Sequence, residues 1–219
     1  MANVDSYSTR GVYAGRLNAA LDMLRQASPK VLLDIGCRDF GLQEKFYRYS
    51  DKVYVADVDY DVLPTSLRKN IFPVNADGCK LPFKTESFDG VLLAEVIEHV
   101  PDALGMLSEC CRVLKKEGYL ILTTPNRDRI ASYIRKLFGK EYKLPYQVHD
   151  GPGGWHVREY TKKELENDLN KAGFKVVSWK STFFGISFSD KIPLGTIKHA
   201  GKFLKYNATL AVLAQKANI

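Results

Sequence analysis

Four carboxylates, Asp34, Asp57, Asp77 and Glu95, each follow a short apolar run. Acids at the tips of successive strands would line one sheet edge with hydrogen-bond acceptors. Such a row suits a ligand with a ribose diol, an exocyclic amine and a cationic group. Any one of these acids could equally be a cap or a turn former; four at successive tips point to a nucleoside-like ligand. The last acid opens Glu95-Val96-Ile97-Glu98-His99. If a helical turn starts there, Glu95, Glu98 and His99 lie at i, i+3 and i+4 on one side. His156, opening HVREYT, could join them from a later loop. Three readings stay open: a divalent-metal site, His99 as a general base without metal, or a structural turn. Trp155 beside His156 could wall an acceptor pocket or simply pack. His149 and His199 sit in irregular, basic surroundings and read as surface residues.

The elements that must position these residues are legible from their periods. Residues 11–27 place Leu17, Ala20, Leu21 and Leu24 on one helical face, and Ser28-Pro29 stops the helix. Apolar runs at 31–36, 53–56, 72–76, 88–94 and 119–124 read as strands, the first buried on both faces and the fifth broken by Pro125. Helical stretches fall between them: 41–49, one carrying Leu63 and Leu67, and 103–114, which ends near Gly118. Residues 127–140 form a short basic amphipathic helix, and 145–154 a Pro- and Gly-rich loop. Thr161 with Glu164 makes a capping box for a helix that Gly173 closes. Strands at 174–179 and 209–214 follow. Strands alternating with helices predict a doubly wound, mostly parallel α/β sheet with ligands at the carboxyl ends of its strands.

On these residues the sequence resembles the class I S-adenosylmethionine-dependent methyltransferases of the type 11 kind, over roughly residues 30–180. VLLDIGC (31–37) is similar to the family's first motif and VYVADVDYDVL (53–63) to its second. NADGCKLPFKTESFDGVLLAEVIEHVPD (75–102), CRVLKKEGYLILTTPN (111–126) and HVREYTKKELENDLNKAGFKVV (156–177) resemble later segments. The resemblance implies a Rossmann-like fold with seven strands, helices on both faces, and S-adenosyl-L-methionine as cofactor. It assigns cofactor contacts to Asp34, Gly36, Gly41, Asp57, Val58, Asp77, Gly78 and Glu95, with Asp57 on the ribose hydroxyls and Asp77 on the adenine amine. The acceptor side falls to His99 and His156. In the ubiquinone-pathway O-methyltransferases and the small-RNA 3′-end 2′-O-methyltransferases, an ExxEH segment and a downstream histidine hold a metal. By likeness that set would be Glu95, Glu98, His99 and His156. One departure stands out: the family's glycine loop carries Arg38 and Phe40 at its second and third glycine positions, with Gly41 one place late. Either Gly41 takes over across a bulge or cofactor affinity falls. A nicotinamide cofactor is disfavoured, since GCRDFG keeps only the outer glycines of GxGxxG.

Composition sets the outer bounds. The chain has 219 residues, 45% hydrophobic and 26% charged, which argues against disorder and suits one domain. We divide it into a helical lead (1–29), a cofactor-binding half (30–126) and a substrate-side half (127–219). No apolar run is long enough to span a bilayer and the first residues lack a signal-peptide core, so the expected location is cytoplasmic. The four cysteines, Cys37, Cys79, Cys110 and Cys111, show no CxxC spacing and read as reduced thiols. The net charge of +7 is uneven: residues 1–126 carry 15 Lys+Arg against 17 Asp+Glu, and residues 127–219 carry 17 against 8. With the segment 183–206, this basic half suggests a small-molecule, saccharide or lipid-linked acceptor, or contact with a membrane surface. Nucleic acid ranks lower, for want of an arginine-rich run. Two rivals follow: a non-catalytic relative that binds RNA or a partner through this half, and a peripheral membrane-binding module.

Overall fold

The computed structural model describes residues 11–37, 46–63, 69–129, 156–181, 186–189, 192–194 and 209–217. Helix α1 spans Gly11–Ala27 and ends as expected. Ser28 takes a left-handed φ of 43° and donates from its amide to Leu24 O at 2.8 Å, and Pro29 cannot continue the helix. Strands β1 (Val31–Ile35), β2 (Lys52–Asp57), β3 (Ile71–Asn75) and β4 (Phe88–Ala94) follow, all parallel. Helix α2 is Ala103–Val113, β5 is Leu114–Pro125, α3 is Lys162–Lys171 and β6 is Phe174–Ser181. A hairpin of β7 (Ile186–Ser189) and β8 (Ile192–Leu194) precedes the last strand, β9 (Thr209–Lys216).

The main sheet has the order β3-β2-β1-β4-β5-β9-β6, with β9 antiparallel to both of its neighbours. The order reverses between β1 and β4, and connections leave these two strands in opposite directions. A crevice therefore opens at their carboxyl ends. The strand period of two splits the core into two layers. Leu33, Ile35, Val91, Leu93, Leu120 and Leu122 pack with α2 and α3 on one face. Leu32, Val53, Val55, Leu92 and Ile121 pack with Ala20, Met23 and Leu24 of α1 on the other. β1 is buried on both faces, which explains its consecutive apolar residues Val31, Leu32 and Leu33.

Two expectations are corrected. Helix α2 does not run to a glycine stop: it ends at Val113, because Leu114 is already extended and pairs with Phe88. Gly118 lies inside β5, beyond Glu117, whose φ is 61° where the register with β4 shifts. Pro125 does not break the fifth strand either. It pairs with Thr209 of the antiparallel β9, and the next residue, Asn126, bridges Tyr160. Of the region 183–206, the described part is the β7–β8 hairpin. The stretch from 41 to 45, Leu67, the side chain of Leu17, and the predicted helix beyond Arg129 lie outside the described residues; Arg127 and Asp128 form a turn.

The capping box at α3 is present in full. Thr161 Oγ1 accepts from Glu164 N at 3.2 Å, and a Glu164 carboxylate oxygen accepts from Thr161 N at 2.9 Å. Gly173 closes the helix with a φ of 89°, which a Cβ would disfavour. Replacing Thr161 by Ala strips one of these bonds, and we expect it to lower unfolding free energy by about 1 kcal/mol in urea titrations. An unchanged midpoint would show that the cap contributes nothing to stability.

Candidate functional site

The tips of β1, β2 and β4 meet around the crevice, and each tip is held by a bond beyond its ladder. Gly36 N donates to Ala56 O at 2.8 Å, Ala76 N to Asp57 O at 3.0 Å, and Glu95 N to Thr123 O at 3.0 Å. Gly36 sits at φ 78°, and a Cβ there would lie 2.5 Å from Val96 Cγ2. The turn at the end of β1 thus requires glycine both for its backbone and for the approach of the β4 tip. Asp57, half-buried, accepts through Oδ1 from Asp59 N at 2.9 Å. Asn75 Nδ2 donates to both Asp57 O and Val58 O, at 3.0 and 2.9 Å, and so clamps the β2 tip. Val58 itself is 68% exposed. Asp77 closes an Asx turn onto Cys79 N at 2.8 Å, and Gly78 is buried between Ile35 and Met106. Gly41 lies outside the described residues, as do His149, Trp155 and His199.

Asp34 differs from the other tip acids. The period of two turns it into the layer beneath the crevice, where it is fully buried. Tyr47 donates its hydroxyl to Asp34 Oδ2 at 2.6 Å, and Oδ1 has no partner. Burial pushes this carboxyl up from 3.8 to about 7, against the lowering effect of the Tyr47 bond and with a smaller upward push from Asp57. Cys37, three residues on and also buried, has its thiol pushed up by the same burial and by Asp34.

The acceptor-side residues are partly brought together. Glu95 has φ 60°, and the turn that follows, Ile97–His99, is a 3-10 turn rather than the first turn of an α-helix. The i, i+3, i+4 alignment expected from the sequence is therefore not formed, and Glu95 stands apart from the cluster. Glu98, His99 and His156 do converge: one ligand atom from each lies within 4.8 Å of the others. Glu98 is fully buried and accepts from Thr124 Oγ1 at 3.0 Å. Its carbonyl accepts from Val157 N at 2.7 Å and Arg158 N at 3.2 Å, which seats His156 over the 97–99 turn. The two imidazoles meet edge-on, with centroids 5.0 Å apart.

The arginines nearby are paired. Arg127 bonds Glu164, Arg129 bonds Glu159, and Arg158 reaches Asp168 at 3.6 Å while covering the Tyr160 ring. Among the described residues, these three therefore do not offer the uncompensated basic face that RNA or an anionic bilayer would need. No described helix is long and apolar enough to cross a membrane. Tyr47, Asn75, Thr124, Arg129 and Glu159 were not identifiable as site residues by reading the chain. Only Asn75 left a trace, as the polar end of β3 in register with Asp57. A groove of about 670 Å³ also opens at the other ends of the same strands, lined by Lys30, Lys52, Lys115 and Lys116 together with Asp51, Asp89 and Glu117. Its charges are mixed and Lys115 is tied to Asp89 at 2.8 Å, so it offers no comparable chemistry.

A mostly parallel sheet with acids at the tips around its switch point defines a nucleoside-cofactor-binding protein of the Rossmann-like class. More narrowly, the chain belongs to the methyltransferase-domain family, whose model matches residues 9–179, and it has the class I S-adenosylmethionine-dependent methyltransferase fold. A ubiquinone biosynthesis O-methyltransferase of Dinoroseobacter shibae is 31% identical over 163 residues, 70% of this chain and 63% of that protein. One of Cereibacter sphaeroides is 33% identical over 162 residues, again 70% and 63%. The match thus spans 63% of the length of both relatives. Among solved structures, the N-methyltransferase NodS of Bradyrhizobium japonicum, in complex with S-adenosyl-L-homocysteine, aligns with a TM-score of 0.69 at 15% identity, covering 99% of this chain and 94% of that one. The cyclase SpnF aligns with a TM-score of 0.63 at 16% identity, covering 94% and 82%. These likenesses establish the fold, and a cyclase among them shows that the fold alone does not specify the reaction.

The buried Asp34 carboxyl gives this site a pH signature. A folded-state pKa raised above the unfolded value means that the fold favours the protonated form. Its contribution to stability is full below about 4 and is lost as pH rises through about 7. The unliganded protein should therefore lose stability between these limits, and Asp34→Asn should flatten that slope. Parallel denaturation midpoints of the two proteins across the range would show that Asp34 is not the cause.

Proposed function

We propose that the protein is an S-adenosylmethionine-dependent methyltransferase acting on a hydroxyl of a small-molecule, saccharide or lipid-linked acceptor. The observation that carries this reading is the orphaned, buried Asp34 Oδ1 beneath a crevice rimmed by acids. A partnerless carboxylate oxygen is what a cationic ligand satisfies, and the half-buried Asp57 carboxylate suits a diol. The residues present therefore fit the cofactor. We assign its contacts to Asp34, Gly36, Gly41, Asp57, Val58, Asp77, Gly78 and Glu95. Substrate-side elements between residues 127 and 219 complete what we read as a single domain. The names of the Dinoroseobacter and Cereibacter relatives favour oxygen over nitrogen as the accepting atom.

Held by Asp34, Gly36, Asp57 and Asp77, the cofactor would supply a methyl group already activated on a sulfonium, to replace the proton of the acceptor hydroxyl. The protein's work is to align the acceptor, exclude water and take the hydroxyl proton. His156 is the base we favour, with His99 beside it, because the Glu98 carbonyl fixes its segment against the strand tip. The convergence of Glu98, His99 and His156 also favours a second reading. One carboxylate and two imidazoles would suit a divalent ion that lowers the hydroxyl pKa. Glu95 is left out of that donor set.

Calorimetry with S-adenosylhomocysteine and a labelled-cofactor screen of phenols, sugars and polyprenyl-linked hydroxyls test the proposal together. Asp57→Ala should weaken the calorimetric affinity about 10- to 100-fold, the worth of a charge-assisted hydrogen bond. Undiminished binding by that variant would remove the ribose assignment, and absence of binding by the unmodified protein would end the enzymatic reading. Added zinc or magnesium should raise the melting temperature only if Glu98, His99 and His156 hold an ion, and His99→Ala should abolish the rise.

A further inference from the structure

The segment between His156 and α3 carries a carboxylate with no role in the reading above. Glu159 is 3% exposed, and a buried carboxylate is costly unless it is paired and hydrogen-bonded. Arg129 pairs it with two donors: Nη1 to Oε2 at 2.7 Å and Nη2 to Oε1 at 3.2 Å. Arg129 Nη1 also donates to Asn126 O at 2.9 Å, so the pair is anchored to the end of β5. The planar guanidinium thereby fixes the plane of the carboxylate. In that orientation Oε1 faces Nδ1 of His156 at 3.4 Å.

We infer that Glu159, braced by Arg129, is the positioning residue that keeps the proton of His156 on Nδ1 and leaves the Nε2 lone pair for the acceptor hydroxyl. An ionised carboxylate only accepts hydrogen bonds, so the nitrogen facing it must be the donor. A neutral imidazole has one such nitrogen, and its lone pair is then on the other. The ring is further held by the two amides that bind Glu98 O and by the edge of His99. This assignment rests on the acceptor-site reading above for its purpose, though not for its geometry, and it holds whether Nε2 takes a proton or binds an ion.

Nitrogen-15 spectra of the full-length, histidine-labelled protein at about pH 8, where unperturbed imidazole is neutral, read the tautomer directly. Difference against His156→Asn assigns the resonances. The unmodified protein should show His156 protonated at Nδ1 and bare at Nε2. Glu159→Gln should mix the two tautomers, because the amide can donate as well as accept, and Arg129→Met should mix them in part. S-adenosylhomocysteine affinity should stay within about twofold of the unmodified protein in both variants, since neither residue lies at the β1–β2 tips. A bare Nδ1, a doubly protonated ring, or a mixture of tautomers in the unmodified protein would overturn the assignment, even if neither variant folds. That spectrum needs no methyl transfer. Failure to bind S-adenosylhomocysteine would sink the enzymatic reading alone, and a wrong tautomer would sink this inference alone.

Discussion

The carbonyl oxygen of Glu98 accepts from two consecutive amides, Val157 and Arg158, while the carboxylate of the same residue accepts from Thr124. Three stretches far apart in sequence meet at this fully buried residue: the turn after β4, the end of β5 and the lead into α3. Each partner lost from a buried polar group costs roughly 1–3 kcal/mol. The junction is therefore over-determined, and what it positions follows from it. His99 is the next residue along the turn, His156 precedes the first donating amide, and Glu159 follows the second. Without the junction, the two histidines would sit on separate loops with nothing to bring them together.

The strand tips obey a second constraint that belongs to topology rather than to any residue. Reversal of the strand order between β1 and β4 leaves their carboxyl ends without a common crossover above them. Whatever follows each strand must bend away, and two of the bends here are left-handed: Gly36 at φ 78° and Glu95 at φ 60°. Glycine takes that conformation freely, but a glutamate in it costs roughly 1 kcal/mol. Strain of this kind persists only where surrounding contacts fix it. The amide of Glu95 is held by Thr123 O, so the β4 tip is fixed by β5 just where the 3-10 turn must begin.

These two constraints differ in how far they can be read from the chain. Strands β1 and β4 are largely buried on both faces and announce themselves by the apolar stretches 31–33 and 91–94, and the tip acids follow by counting. The α3 cap is legible because its two partners are three residues apart. Long-range pairs leave no such mark. Arg129 and Glu159 are 30 positions apart, and Tyr47 and Asp34 are 13. Nothing local distinguishes that Tyr or that Glu from others in the chain. The Glu95-Glu98-His99 alignment fails to form for a different reason. An acid spaced for an α-helix gives no warning that the backbone at its own position will turn left-handed. The place of β9 between β5 and β6 is equally silent, since a buried antiparallel strand has the same apolar run as a parallel one.

The unequal treatment of the acids connects the fold to its use. Asp57 and Asp77 satisfy part of their hydrogen-bonding capacity in their own turns and remain near solvent, so they cost the unliganded protein little. Asp34 is carried under the crevice by the same alternation that buries Leu32, and Tyr47 satisfies only one of its oxygens. Keeping that carboxyl is unfavourable for the empty fold, and a Leu or Val would pack there more cheaply. On the cofactor assignment proposed above, a bound cation would reverse the balance by supplying the missing partner and favouring the ionised form. Ligand affinity and apo stability would then be linked through one side chain.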